Sequence, residues 1–286
     1  MQFWAIQTLN SIAMGGLLFL LASGFSLIFG LLRIPNLAHG GLFMLGAYLG
    51  ATLLRQGLDF WLAALLTAVA VGLLGVLIER VLLRRLAGNE RGQVLVTLGL
   101  GFIIADGCLT VFGGDPIPLA APAMLRLPLR LAGLVFPSYR LAVLVVALVA
   151  AVALVLLMDR TRLGAMIRAG VDDRMMARGV GIPVGLLFTA VFFLGAALAG
   201  FAGVIGGPIF SAYPGLDADM LPLALIVVIL GGIGSLWGAL VGSFIVGFIY
   251  NFGIALFPSY AYVVLFLPMV LALVFRPAGL FGRAAA

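Results

Sequence analysis

The amino-acid sequence predicts an all-α polytopic membrane protein with eight or nine transmembrane helices. Of its 286 residues 64% are hydrophobic and only 9% are charged, so too few polar side chains exist to clothe one soluble core, and the solvent must be lipid. Apolar runs of roughly 18 or more residues recur along the whole chain, the length a hydrocarbon layer about 30 Å thick requires of each helix. The arginines lie mostly at the ends of those runs.

In chain order the runs place spans at 8–32, 37–54, 60–83, 93–112, 138–158, 186–206, 220–233, 238–257 and 260–275. Two stand apart: 37–54 is short and glycine-rich, and 220–233 is barely long enough to cross. These are the broken or re-entrant candidates, which a membrane tolerates only where the freed backbone faces protein or a watery cavity. In "VVILGGIGSLWGAL", residues 227–240, four glycines fall between Gly231 and Gly238, too many for a stable helix. Because 220–233 must already span, the break is read as a surface turn.

"RVLLRRLAGNERG" and "DRTRLGAMIRAGVDDRMMARG" hold most of the charge and are expected to face the cytoplasm. Four further spans after residue 185 then bring the tail, with Arg276 and Arg283, to the same side. The loop 207–219, which carries Asp217 and Asp219, and the proline-rich stretch 113–137 fall outside. Arg126 and Arg130 in that stretch run against the bias. The start, "MQFWAIQ", lacks the basic region and cleavage signal of a secretory peptide and is read as retained. Residues 1–286 are read as a single transmembrane domain, with 159–185 as a cytoplasmic segment within it.

Composition excludes several chemistries. All 16 basic residues are arginine; without lysine the chain can carry neither a GxxxxGK[ST] phosphate loop nor Schiff-base chemistry. If nucleotide energy is used, another subunit supplies it. The net charge of +6 follows from arginines at span ends and implies no nucleic-acid partner. One cysteine, Cys108, and one histidine, His39, cannot assemble an intrachain disulfide, a zinc site or a catalytic triad.

Within 159–185 a helix is expected from Asp172 to Val180. It would stack Asp172, Met176 and Val180 on one side and Arg174 and Arg178 on roughly the other, with Gly181 and Pro183 stopping it. Two readings stand. Two adjacent methionines beside a basic edge suit docking into a groove of a cytoplasmic partner; alternatively the segment hugs the membrane and its arginines only set topology.

Ionisable and polar groups inside spans are pathway candidates. Asp106 leads, against the reading that it sits hydrated near the outer end of its span. Glu79, with Arg80, lies near the cytoplasmic end of its own, where snorkelling suffices. Asn10, Ser11, Asn36, Ser235 and Asn251 could meet a passing solute, although helix-to-helix hydrogen bonding is the commoner use. His39, in "NLAHGG", is expected at the cytoplasmic mouth, hydrated, with Asn36 capping the next helix. Small residues four apart mark close helix packing: Gly46 with Gly50, Ala199 with Gly203 and Gly207, and Gly238 with Gly242.

"LLRIPNLAHGGLFMLGAYLG", "RAGVDDRMMARGVGIPVGLLFTAVFFLGAALAGFAGVIGG" and "LGGIGSLWGALVG" keep an order and spacing that resembles the membrane permeases of branched-chain amino-acid ABC importers, specifically the shorter LivH-type subunit. The resemblance runs from about residue 8 to "RPAGLFG" at 276–282. It implies a non-enzymatic transport subunit in the bacterial cytoplasmic (inner) membrane with its C-terminus inside. It also implies a heterodimer with a LivM-type permease, two cytoplasmic ATPase subunits that carry ATP and Mg, and an extracytoplasmic solute-binding protein. Arg168, Asp172, Arg174, Met176, Ala177 and Gly181 fall in the family's ATPase-coupling segment, and no cofactor belongs to this chain. Urea and short-chain amide permeases of the same family are an alternative. An ATP-independent secondary transporter or channel, dependent on Asp106, is the competing class.

Overall fold

A hydrophobic run becomes a membrane helix because only an internally bonded backbone is stable in hydrocarbon, and each of the nine predicted runs is helical in the computed structural model. The structure describes residues 2–32, 35–131, 134–276 and 278–282; Arg33 and Arg283 lie outside the described residues, as do the side chains of Arg130 and Arg174. The long helices are α1 (Gln2–Leu32), α3 (Phe60–Ile78), α4 (Glu90–Phe112), α5 (Ser138–Arg160), α8 (Val184–Phe210) and α10 (Leu236–Leu256). All six are long and apolar enough to cross a bilayer, α3 with its continuation to Leu86. Three are shorter: α2 (His39–Arg55), α9 (Leu216–Gly231) and α11 (Ala261–Phe275). Their 17, 16 and 15 residues reach only about 23–26 Å at a rise of about 1.5 Å each.

Local chemistry sets several boundaries. Asp59 starts α3 by accepting the amide hydrogens of Trp61 and Leu62 at 2.9 and 3.3 Å. Asn89 starts α4 earlier than predicted by accepting from Gly92 at 3.0 Å. The proline-rich stretch 113–137 contains an antiparallel pair, β1 (Pro128–Leu131) with β2 (Leu134–Pro137). The Ser138 hydroxyl lies 2.8 Å from both the Leu125 and Leu127 carbonyls, and Ile117 pairs with Ala212 beyond the end of α8.

α1 forms the centre, its residues from Ala13 to Leu31 almost wholly buried, and packs on α5, α8, α9 and α10. Gly30 faces Gly234 while Gly15 faces Phe244, so α1 and α10 are antiparallel. Gly24 meets Gly195 and Leu17 meets Gly206, so α8 opposes α1 as well. The outer faces of α3, α4 and α5 expose Leu65, Phe102, Ile103, Val145 and Val149, as a surface solvated by lipid tails requires.

The glycine-rich stretch after α9 is a turn, as predicted: Gly232 and Gly234 adopt φ of 104° and 79°, a region open to glycine without a Cβ penalty. The tail returns to this turn. The amides of Leu280 and Phe281 donate to the Leu230 and Gly231 carbonyls at 2.9 Å, closing the C-terminal end of α9.

α2 is a short helix that begins inside the bundle and runs toward the end of α8, where Gly50 meets Val204. Leu37 and Ala38 lie beside Gly101, the midpoint of α4, and Gly40 abuts the Asp217 carbonyl at the start of α9. α2 therefore begins in the interior of the bundle. The two segments singled out as short, α2 and α9, start against each other.

Candidate functional site

The segment between α5 and α8 is built from two short helices. Thr161 caps α6 (Arg162–Asp172) by accepting from Gly164 at 3.1 Å. Asp173 then takes an extended backbone and accepts from the amides of Met175 and Met176 at 2.8 and 3.0 Å, starting α7 (Arg174–Gly179). The helix predicted from Asp172 to Val180 is thus corrected. A short acidic side chain that can cap the next turn breaks it at Asp173, and Asp172 ends α6 instead of sharing a face with Met176.

Gly181 stops α7 with φ 84°, its amide donating to Arg178 at 3.0 Å while that of Ile182 reaches Ala177 at 3.0 Å. Met175 and Met176 are 82% and 70% exposed, whereas Ala177 and Ile167 are buried. Arg168 points back: its guanidinium donates to the Met158 carbonyl and lies 3.5 Å from Asp159, tying α6 to the end of α5. Of the six residues assigned to this segment, Met176 is displayed outward. Ala177 anchors the helix, Arg168 braces it and Gly181 ends it.

The seven pathway candidates do not converge. Asn10 accepts from Arg140 of α5. Ser11, fully buried, donates to Gln7 at 2.7 Å, and Asn251 donates to Gly247 at 3.0 Å, both within their own helices where α1 meets α10. Ser235 caps α10, accepting from Gly238 at 3.0 Å at the opposite end. Asp106 is exposed on the outer flank of α4.

His39 does begin a helix, but its expected placement is corrected. It is 0% exposed and not hydrated at a mouth, because α2 begins inside the bundle. Its Nε2 donates to the Leu21 carbonyl at 3.0 Å, which requires the hydrogen on that nitrogen. Its ring meets Phe25 edge-on at 5.2 Å. Asn36 does not cap α2; it holds the turn before it, accepting from the Ala38 amide at 3.2 Å. His39 Nδ1 and Asn36 Nδ2 are buried without a hydrogen-bond partner among the described residues.

The small residues sit at backbone crossings. A Cβ on Gly46 would lie 2.4 Å from the Gly200 carbonyl, and one on Gly203 2.1 Å from that of Phe43. Gly50 meets Val204, Gly207 meets Leu119, Gly238 meets Gly231, and Gly242 meets Val227.

The expected snorkelling of Glu79 is also corrected. The residue is 3% exposed and accepts from the Thr189 hydroxyl at 2.8 Å, with Arg84 at 4.0 Å. Glu79 continues the face of α3 on which Gly72 and Gly75 meet Phe193 and Ala196 of α8, and the π-helical turn Glu79–Leu83 then brings Arg84, five residues on, beside it. The spacing of Glu79 and Arg84 is the one signal in the chain. These residues line a groove of about 630 Å³ whose opposite wall is formed by Met175 and Arg178 of α7. A second cavity, about 310 Å³, opens between α8, α9, α10 and α11 and includes Tyr213 and Asp219, joined by a 2.5 Å hydrogen bond.

Known proteins match along nearly the whole chain. BraD of Pseudomonas aeruginosa, a high-affinity branched-chain amino acid transport system permease protein, is 30% identical over 294 residues, covering 97% of this chain and 95% of its own. LivH of Escherichia coli, a permease protein of the same description, is 28% identical with the same coverage of both chains. LivM of Escherichia coli is 29% identical over 91% of this chain and 67% of its own. No solved structure matches. The model of the branched-chain amino acid transport system / permease component family matches residues 7–273, and the chain belongs to that family.

Proposed function

We propose that this permease forms half of the translocation pathway of an ATP-driven importer of branched-chain amino acids, as an inner-membrane subunit with its C-terminus in the cytoplasm. Its partners in this reading are a LivM-type permease, two cytoplasmic ATPase subunits that supply ATP and Mg chemistry, and an extracytoplasmic solute-binding protein. The observation that carries the reading is α7. It holds two methionines in water at the arginine-rich end while Ala177, between them and α8, is buried, the arrangement of an adaptable apolar anchor awaiting a partner groove. Similarity to both LivH and LivM permeases supports pairing of two like subunits. A secondary transporter centred on Asp106 has no support in the geometry, since that residue faces away from the bundle.

The test is reconstitution of all subunits in vesicles. Uptake of labelled leucine, isoleucine or valine should require ATP and the loaded binding protein. Uptake without ATP would overturn the reading, and uptake of urea or acetamide in place of leucine would move it to the amide branch of the family.

A further inference from the structure

Glu79 is a buried acidic side chain at the arginine-rich end of the bundle, and a polar group is buried at acceptable cost only if its surroundings give it partners. Three elements do so. Glu79 follows Gly72 and Gly75, which meet Phe193 and Ala196 of α8, so α3 itself aims it at that helix. There Thr189 donates to it at 2.8 Å while also lying 3.2 Å from the Gly185 carbonyl of its own helix. Arg84 closes the other side at 4.0 Å and lies so tightly over Gly185 that a Cβ there would fall 2.2 Å from its guanidinium. Gln93 of α4 donates to the Leu83 and Leu86 carbonyls at 3.3 and 3.0 Å, meeting acceptors in the irregular turn after α3.

The corner made by α3, the start of α4 and the start of α8 is therefore fastened by side chains. It shares one groove with Met175 and Arg178 of α7, and α7 joins α8 through only Val180 to Pro183.

We infer that Glu79 is a positioning residue for energy coupling, a latch through Thr189 and Arg84 that makes α3 follow α8 when α7 is moved from the cytoplasmic side. This rests on the proposed docking of α7 to an ATPase. It adds a specific point at which that movement passes into the bundle, the contacts of Glu79 with Thr189 and Arg84.

The experiment uses the complete reconstituted complex and measures solute taken up per ATP hydrolysed. Glu79→Gln, which removes the charge, and Thr189→Val, which removes the donor at constant volume, should each assemble with the ATPases in normal ratio. Each should hydrolyse ATP at no less than the normal basal rate yet lower uptake per ATP about tenfold. Thr189→Ser should restore it. Unchanged uptake per ATP in both variants overturns the inference, as does loss of assembly in both, which would mark a structural role only. Met175→Ser with Met176→Ser tests the underlying reading separately: if that double variant leaves ATPase binding intact, the docking proposal fails whatever Glu79 does.

Discussion

His39 reaches across to α1 and donates from Nε2 to the carbonyl of Leu21 at 3.0 Å. The contact joins the first residue of α2 to the interior of the central helix and so fixes the depth at which α2 begins. His39→Ala removes the donor and opens a void beside Phe25, for an expected loss of about 2–4 kcal/mol of stability. His39→Gln retains a donor and is expected to lose about 1 kcal/mol. Thermal unfolding of the purified chain in detergent checks the order, and equal stability of the alanine variant would refute it.

At the crossing of α2 and α8, Gly203 has no room for a methyl group because the Phe43 carbonyl would lie 2.1 Å from it. Gly203→Ala should force the helices apart and cost about 2 kcal/mol or more. Gly107→Ala on α4, where nothing lies within 4 Å, should be neutral or stabilise the isolated chain by up to about 1 kcal/mol through helix propensity. A matched pair of melting curves decides.

Met175 and Met176 are both largely exposed, so Met175→Ser with Met176→Ser should leave the melting temperature unchanged. Affinity for the ATPase subunits is expected to fall by tenfold or more, about 1.4 kcal/mol. Ala177→Asp, at a buried position of the same helix, should instead unfold the segment. Co-purification of ATPase alongside a stability assay separates the two effects.

Gly181 tests backbone conformation alone, because its φ is 84° and a methyl group added there would meet nothing within 4 Å. Gly181→Ala should cost about 1–2 kcal/mol, and Gly181→Asn less, since asparagine enters the left-handed region more readily. Protease sensitivity of 174–183 in the purified protein is the readout, and an alanine variant no more sensitive than the parent would contradict it.

Much of the architecture is legible in the chain. The nine apolar runs are helices because the need for an apolar solvent is a property of each segment, and the turn at Gly232–Gly234 is legible because glycine crowding breaks a helix locally. The site is less so. Spacing puts Asp173 inside a helix when it caps one, since capping and helix-interior positions differ only in backbone angles. Glu79 shares a helical face with Gly72 and Gly75, but only the fold shows that this face meets α8 and that Thr189 lies opposite it.

By itself, the sequence determined the solvent of each segment, the absence of any lysine-dependent nucleotide chemistry, and the place where α9 must end, all of which follow from residue type and short spacing. Only the tertiary structure decided that α2 starts inside the bundle, with His39 bonded to Leu21 and Gly40 against Asp217, and that Glu79 faces Thr189. Hydrophobicity reports whether a residue avoids water, but depth and partner are set by packing against helices far away in the chain.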